Sequence, residues 1–594
     1  MTEKVVSLTV APGIQRDGTI LASPSYIDGQ WVRFQYGRPR KIGGYRGSFL
    51  NASGISRGMI MSSQNGINYV ISGYSSGLEQ WTTDNDDGVG FGPITITTTG
   101  FSANANNLWQ FDIGYDPYGT GNNNLIAHPG QNLNDISSTV NTRPLVGTFT
   151  GTSVSPVGVF TATGTTTSGS KNVTFATTIV AIGAGVSVTG TGIPANTTVV
   201  SASVVGGVWT AVLSNNATAS GTVTLTFDNN ISVSGGVVML FPYLFVYGNN
   251  GLIQNCSAGD FNNWTSADAN ANNIASTKVV KGLPLRGGTT SPAGLFWTLD
   301  SVVRVTYAPQ SVGSSTLYWR YDLITQQSSI MSSQCVIEYD GIFYWVGTDR
   351  FLMYNGVVQE VPNTQNTNYF FDNLNLAQRQ KVWVAKVPRY GEIWWFFPSG
   401  SSTECNDAII YNVRESQLQG RPVWYDAGQA LGARRSAGVF SEVFPKPIWG
   451  GWDQNGTGGY TLWQHETGTN QVYTNNVDAI YSAFETNIIS GGLGMVSSAP
   501  EPGQNNWTRC ERIEPDFVQS GQMDVIVTGK GYADDTDQPS SPYTFDPNTL
   551  KIDMKEQRRE FRLRFESNTQ NGNYFMGKVL LSIDVGDVRG TGNP

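Results

Sequence analysis

Residues 342–354 contain Ile342-Phe343-Tyr344-Trp345-Val346, a break at Gly347-Thr348-Asp349, and then Phe351-Leu352-Met353-Tyr354. Two runs of β-branched and aromatic residues flanking a turn-forming triplet are the sequence form of a β-hairpin. The unit recurs. Leu244-Phe245-Val246-Tyr247 turns through Gly248-Asn249-Asn250-Gly251 into Leu252-Ile253-Gln254, and Tyr69-Val70-Ile71-Ser72 turns before Leu78 and Trp81. Hairpins starting near 244, 295, 342, 393 and 448 are separated by steps of 51, 47, 51 and 55 residues. A period near fifty, with several short strands per unit, predicts a β-propeller, in which each blade buries its faces only against its neighbours.

Earlier hairpins near 70 and 125 keep the same step, but 125 to 244 is 119 residues, too long by some eighty. The excess identifies itself. Between Thr148 and Phe227 the only charged side chain is Lys171, and Thr, Ser, Gly, Val and Ala dominate. Runs such as Val173-Thr174-Phe175 and Val223-Thr224-Leu225-Thr226-Phe227 alternate with turns, the pattern of an inserted immunoglobulin-like β-sandwich rather than of a disordered linker. From about Phe484 the rhythm stops. In Phe561-Arg562-Leu563-Arg564-Phe565 the period is two, so the apolar residues face a core and the arginines face out. The expected fold class is all-β: a propeller of six to eight blades with the inserted sandwich and a C-terminal β-domain. The boundaries are 1–50 for an N-terminal arm, 51–147 and 231–483 for the propeller, 148–230 for the insertion and 484–594 for the last domain. One helix is expected, over 373–381 with Asp372 as N-cap.

Charged residues make up 14% of the chain, well below the roughly 25% of an average globular protein. With a net charge of −9 nothing favours a general electrostatic grip on nucleic acid. Cys256, Cys335, Cys405 and Cys510 lie far apart, with no C-x-x-C pair, and read as free buried thiols. No stretch resembles a signal peptide or a run of 18 apolar residues, so folding in a cytoplasm without membrane insertion is expected, and sequons such as Asn172 and Asn196 carry no glycan.

The sequence holds no H-E-x-x-H motif and no P-loop. His128 and His465 each stand alone in a loop-like context and lack the partners of a triad. Asp84-Asn85-Asp86-Asp87-Gly88 has oxygen ligands but no terminal Glu, and reads as an acidic turn. Ser257–Trp264 reads as a hairpin corner with Trp264 packed between blades. Asp340, Glu392 or Glu485 could in principle converge as a glycosidase pair, with no positive support. The expectation is therefore no enzyme, no metal and no cofactor. One stretch stands out: Trp31, Arg33, Phe34, Tyr36, Arg38, Arg40, Lys41, Tyr45 and Arg46 place five cations among four aromatics. Such a mixture lines a conduit for nucleic acid or anchors a protein–protein contact, and the second is favoured because Arg and aromatics dominate interface hot spots. Trp209, in the insertion, is the candidate for a surface glycan contact.

Three blocks in order resemble the tail nozzle, or tail hub, proteins of short-tailed bacteriophages. They are Trp31-Val32-Arg33-Phe34 with Gly37-Arg38-Pro39 and Gly43-Gly44-Tyr45; residues 333–362 followed by Lys381-Val382-Trp383 and Glu392-Ile393-Trp394-Trp395-Phe396-Phe397-Pro398; and 558–568 with Met576-Gly577 and Gly586-Asp587. The insertion is similar to those of phage structural proteins. The resemblance implies a homohexameric ring below the head-to-tail adaptor in the virion, docking tail fibres or spikes and passing viral DNA through a channel without sequence-specific binding. Six copies of a −9 chain would favour a lumen that repels phosphate and lets DNA slide. The alternative is a carbohydrate-binding or glycan-cleaving propeller or tailspike.

Overall fold

The computed structural model of the chain describes residues 4–20, 23–47, 51–83, 91–97, 104, 107–114, 123–132, 135–286, 291–313, 315–441, 444–454, 460–489, 506–531 and 535–588. The acidic turn at 84–88 lies outside them.

The fifty-residue rhythm becomes a succession of antiparallel sheets. Six are four-stranded and span 59–95, 107–156, 236–273, 279–325, 336–360 and 383–426, each with its strands bonded in chain order. A seventh has six strands. Each sheet has apolar residues on both faces, so each needs a neighbour on either side, and the apolar clusters supply them in order. Ile71 and Leu78 of the first sheet meet Trp109 and Leu125 of the second, and Ile126 and Val157 meet Val237 and Leu244 of the third. Phe245 and Tyr247 meet Phe296 of the fourth. Trp297, Trp345 and Trp395 link the fourth, fifth and sixth, and Trp394 and Phe396 meet Trp449 of the seventh. Ile448 and Leu462 of the seventh then meet Met61 and Val70 of the first, which closes a propeller-like ring. Trp264 packs between the second and third sheets, in the corner expected for it.

The chain start completes the ring. In the seventh sheet Tyr45–Gly47 lies between Tyr460–His465, which it pairs antiparallel, and Asn470–Tyr473, which it pairs parallel. The rest of the start is not a free arm. Lys4–Ser7 pairs with Leu580–Val588, Asp28–Gln30 with Ser482–Glu485, and the hairpin Val32–Gln35 and Arg38–Lys41 joins Asn573–Met576. Segments 1–50 and 484–594 were expected as separate units, but strands from Lys4–Lys41 and from the described residues of 484–594 form two facing sheets together. These short strands cannot satisfy their backbone groups alone and are completed by strands from the other end of the chain.

The insertion begins at Val159, because 145–148 and 154–156 are the outer strands of the second ring sheet. Its six strands form one closed barrel rather than the two open sheets of the expected sandwich. The reason lies in Gly221–Asp228, which bonds Val159–Thr166 on one edge and Ser187–Gly190 on the other, so no sheet edge remains. Val173, Phe175, Leu213, Leu225 and Phe227 fill it.

The expected helix at 373–381 is displaced. Thr367–Asn373 is α-helical, with Asp372 inside it, and Leu376–Lys381 is a 3-10 turn whose N-cap, Asn375, accepts from the Ala377 amide. His128 and His465 are not loop residues: both are buried within strands. All four cysteines are free and buried, as the sequence suggested.

Candidate functional site

In every ring sheet the first strand is the innermost: Met59–Gln64, Asn107–Gly114, Gly236–Leu240, Val279–Pro284, Val336–Tyr339, Trp383–Val387 and Arg435–Ser441. Successive innermost strands are neighbours round the axis, so their inward side chains line a central channel. Two contiguous cavities occupy it. One, of about 210 Å³, is lined by Trp109, Gln110, Lys281, Gln334 and Trp383, where these strands begin. The other, of about 360 Å³, is lined by Met59, Arg286, Glu338, Phe343, Lys386 and Phe440, nearer the strand ends. Met59, Val336, Val384 and Gly438 line both.

Polar groups near the channel differ in how far they are engaged. Gln334 Nε2 donates to the carbonyls of Arg57 and Trp109, at 2.6 and 2.8 Å, fixing one wall. The Asp112 carboxylate accepts from the Met239 amide at 2.7 Å and from Ile113 at 2.8 Å. Burial nevertheless raises its pKa, outweighing those amides and the field of Lys281 and Arg286. Desolvation pulls the Lys281 ammonium down to about 8.

The cation-aromatic stretch occupies a different place, the seam between ring and terminal sheets. Trp31, Arg33, Phe34, Lys41 and Tyr45 are buried inside the chain, which corrects their assignment as partner contacts. The cause is a set of intramolecular partners. The Arg33 guanidinium binds Glu392 at 2.8 and 2.9 Å and Glu466 at 2.6 and 2.9 Å, and it stacks 3.6 Å from the Tyr390 ring centroid. Glu392 also accepts from Tyr425 and Trp394. Burial opposes the charge on Arg33, but the two glutamates outweigh it and hold its pKa up. For Glu392 burial wins: desolvation raises its pKa despite Arg33, and the like charge of Glu466 adds to the rise. Trp31 Nε1 donates to the Gly43 carbonyl, and its ring leaves no room for a Cβ at Gly432. Lys41 donates to the Gly572 carbonyl at 2.9 Å, and Tyr45 stacks on His465. Arg38 donates to the Gly577 carbonyl and Arg40 to Gln35, both half-buried. Of the nine, Tyr36, 69% accessible, and Arg46 are exposed.

Three carboxylates weighed as acid–base candidates sit in three separate surroundings. Glu392 belongs to the Arg33 cluster, Glu485 pairs with Arg562 and Arg564, and Asp340 is an exposed turn residue with φ 51°. Phe561, Leu563 and Phe565 do face a core, whereas Arg562 is buried by a further layer carrying Glu485 and Asp537. Trp209 is half-buried against the barrel core, its indole nitrogen enclosed and without a hydrogen-bond partner among the described residues. A second ionic cluster escaped the sequence reading. Arg16 binds Asp426 and Asp28, and Asp407, beside Asp426, accepts from Tyr369 at 2.5 Å. Burial and then Asp426 push Asp407 up to about 7. No short motif could reveal it, since its members are up to 410 residues apart. Among the described residues no group of three His, Cys, Asp or Glu is placed to hold a metal ion, and no helix is long and apolar enough to cross a membrane.

No family model and no curated protein sequence matches this chain. Solved structures give only distant likenesses. A phage phi92 endosialidase is 13% identical over 92% of this chain and 75% of its own, with a TM-score of 0.23. An ancestral GH74 enzyme is 11% identical over 69% and 65%, with a TM-score of 0.26. A glycoside hydrolase is 9% identical over 90% and 100%, with a TM-score of 0.20.

Proposed function

We propose that this chain is a structural protein of a virus particle: the nozzle that ends a short bacteriophage tail, a seven-bladed β-propeller carrying an inserted barrel and a two-sheet terminal domain. In this reading six copies form a ring on the head-to-tail adaptor, viral DNA passes through the ring without sequence-specific binding, and fibres or spikes dock on its outside. One observation carries the reading beyond the resemblance of its sequence blocks. Strands within Lys4–Gly47 are stitched through both the ring and the terminal sheets, and a single apolar cluster runs from Leu8 and Trp31 through Trp394 and Trp449 to Phe565 and Leu581.

Such a continuous core suits a rigid assembly unit better than two modules that hinge around a substrate, since weakly joined domains move by default. Glu392 and Glu485, two of the carboxylates weighed for acid–base work, are engaged in ion pairs within that seam. Conduit and docking roles need stiffness and surface, and no turnover.

Purified full-length protein examined by mass photometry and negative-stain microscopy tests this. Six-fold rings, with no new reducing ends on host polysaccharide, are expected. A monomer or trimer that releases reducing ends would overturn the reading in favour of a glycan-cleaving propeller.

A further inference from the structure

The channel holds more positive charge than its own acids neutralise. Lys281 makes no hydrogen bond or ion pair with any described residue; its nearest counter-charge, Asp112, already accepts from two backbone amides. Arg286, exposed just beyond the same strand, makes no hydrogen bond or ion pair with any described residue and acts on Asp112 only through its field. Lys386 has only a 3.4 Å contact with the Glu338 carbonyl and the Phe440 ring at 5.9 Å. The Glu338 carboxylate is turned to the Gly341 amide at 2.6 Å. Three cations thus face two contiguous cavities while both nearby acids bond to backbone amides. The wall between them is apolar, with Met59, Phe343 and Phe440 beside Arg286 and Lys386.

Burial makes the charge on Lys281 costly, a cost that an oppositely charged occupant removes, while Arg286 is exposed and Lys386 half-buried at the wider cavity. A concave, mostly apolar space with a few convergent polar groups is the form of a small-molecule site, and about 360 Å³ falls within the usual range for one. Inorganic phosphate alone would leave the apolar wall unused, and a neutral apolar molecule would leave the cations unpaired.

We propose that the central channel of the propeller binds a small organic anion, a carboxylate or phosphate ester with an apolar body, its charge held by Arg286 and Lys386 within the field of Lys281 and its body resting on Met59, Phe343 and Phe440. This site is independent of the assembly role above and adds to it a ligand that would stiffen the ring axis. Lys281 also gives the site a pH dependence. The ionisable groups around it are Asp112 on the second sheet, which favours its charge, and the buried Cys335 thiol before the fifth. Its ammonium is present below pH 8 and discharges above, so anion affinity falls as pH rises through that point.

Calorimetric titration of the intact protein tests this with phenyl phosphate, benzoate, inorganic phosphate and benzyl alcohol as probes. The two aromatic anions are expected to bind, inorganic phosphate more weakly, and benzyl alcohol not at all. Arg286→Met and Lys386→Met should each weaken the anions about tenfold, the worth of one charge-assisted hydrogen bond. Lys281→Met should flatten the pH profile around 8, and Lys171→Met, on the barrel, should change nothing. Equal binding of benzyl alcohol, undiminished anion binding in the Arg286 and Lys386 variants, or no binding of either aromatic anion at about 10 mM would each overturn the proposal.

Discussion

Replacing Arg33 by Ala removes the cation that two buried carboxylates share. Glu392 is fully buried and keeps only Tyr425 and Trp394 as donors; Glu466 loses both of its guanidinium contacts. Deleting one partner of a buried pair costs about 3–5 kcal/mol, mostly as the penalty of the charge left behind. With roughly 2.1 cal/mol/K of unfolding entropy per residue, a cooperative unit of about 500 residues, ring plus terminal sheets, has about 1 kcal/mol/K. Tm should therefore fall by roughly 3–5 °C, read by tryptophan fluorescence or calorimetry. The fall also depends on pH. The folded-state pKa of Glu392 is already raised, and losing Arg33 raises it further. A raised carboxyl contributes stability that is complete below its unfolded pKa and is lost as pH rises through the folded one. The deficit of the variant should thus be small in acid, at and below the ordinary carboxyl range, and widen as pH rises above it. Arg33→Met with Glu392→Gln should recover part of it, because Gln can still meet Tyr425 and Trp394 without a charge. An unchanged Tm, a deficit independent of pH, or a double variant no better than Arg33→Ala would refute the reasoning.

Other perturbations probe other parts of the fold. Gly130→Ala, at a bulge where φ is +84° and a Cβ would lie 1.5 Å from the Leu108 carbonyl oxygen, should cost about 3 kcal/mol or more and lower the Tm of the ring. Asp407, at about 7, adds stability that is present at low pH and lost as pH rises through neutrality. Asp407→Asn should abolish that part of the pH–Tm slope, and an unchanged slope would exclude Asp407 as its source. Excising Val159–Asp228 and joining the flanks with a short Gly-Ser linker should leave the melting of the ring unchanged, since those end residues are paired neighbours in the barrel. Collapse of ring folding would show instead that the barrel is structurally required.

Local patterns were legible in the sequence and long-range ones were not. The hairpin at 342–354 and its repeats are set by alternation and turn residues within a few positions, and the structure has strands there. The charge-poor segment likewise betrayed a separate unit, since composition is a local property too. Which edges close was not readable: Gly221–Asp228 is bonded on both sides, and nothing in its residues distinguishes a barrel from a sandwich. The stretch 31–46 misled for a related reason. Arg and aromatics suit both a partner's surface and the chain's own seam, and the carboxylates that decide between these, Glu392 and Glu466, lie more than 350 residues downstream. The channel cations Lys281, Arg286 and Lys386 were equally hidden, being brought together only by the closure of the ring.

A buried ion cluster at the seam contributes little net stability compared with an apolar replacement, so its value must lie elsewhere. Register supplies an answer. Along Val32–Gln35 the first three side chains are all buried, Val32 and Phe34 in the apolar core and Arg33 against Glu392 and Glu466. A slip by one residue would exchange those faces, driving a guanidinium into the core and leaving two glutamates against Phe34. An all-apolar seam would tolerate that slip far better. The strand Tyr45–Gly47 that completes the seventh sheet follows this hairpin by a few residues, so fixing Arg33 also fixes where the chain start enters the ring. The charge cluster thus specifies how the chain start docks on the ring, within an apolar cluster that includes Trp31, Trp383, Trp394, Trp449 and Trp463.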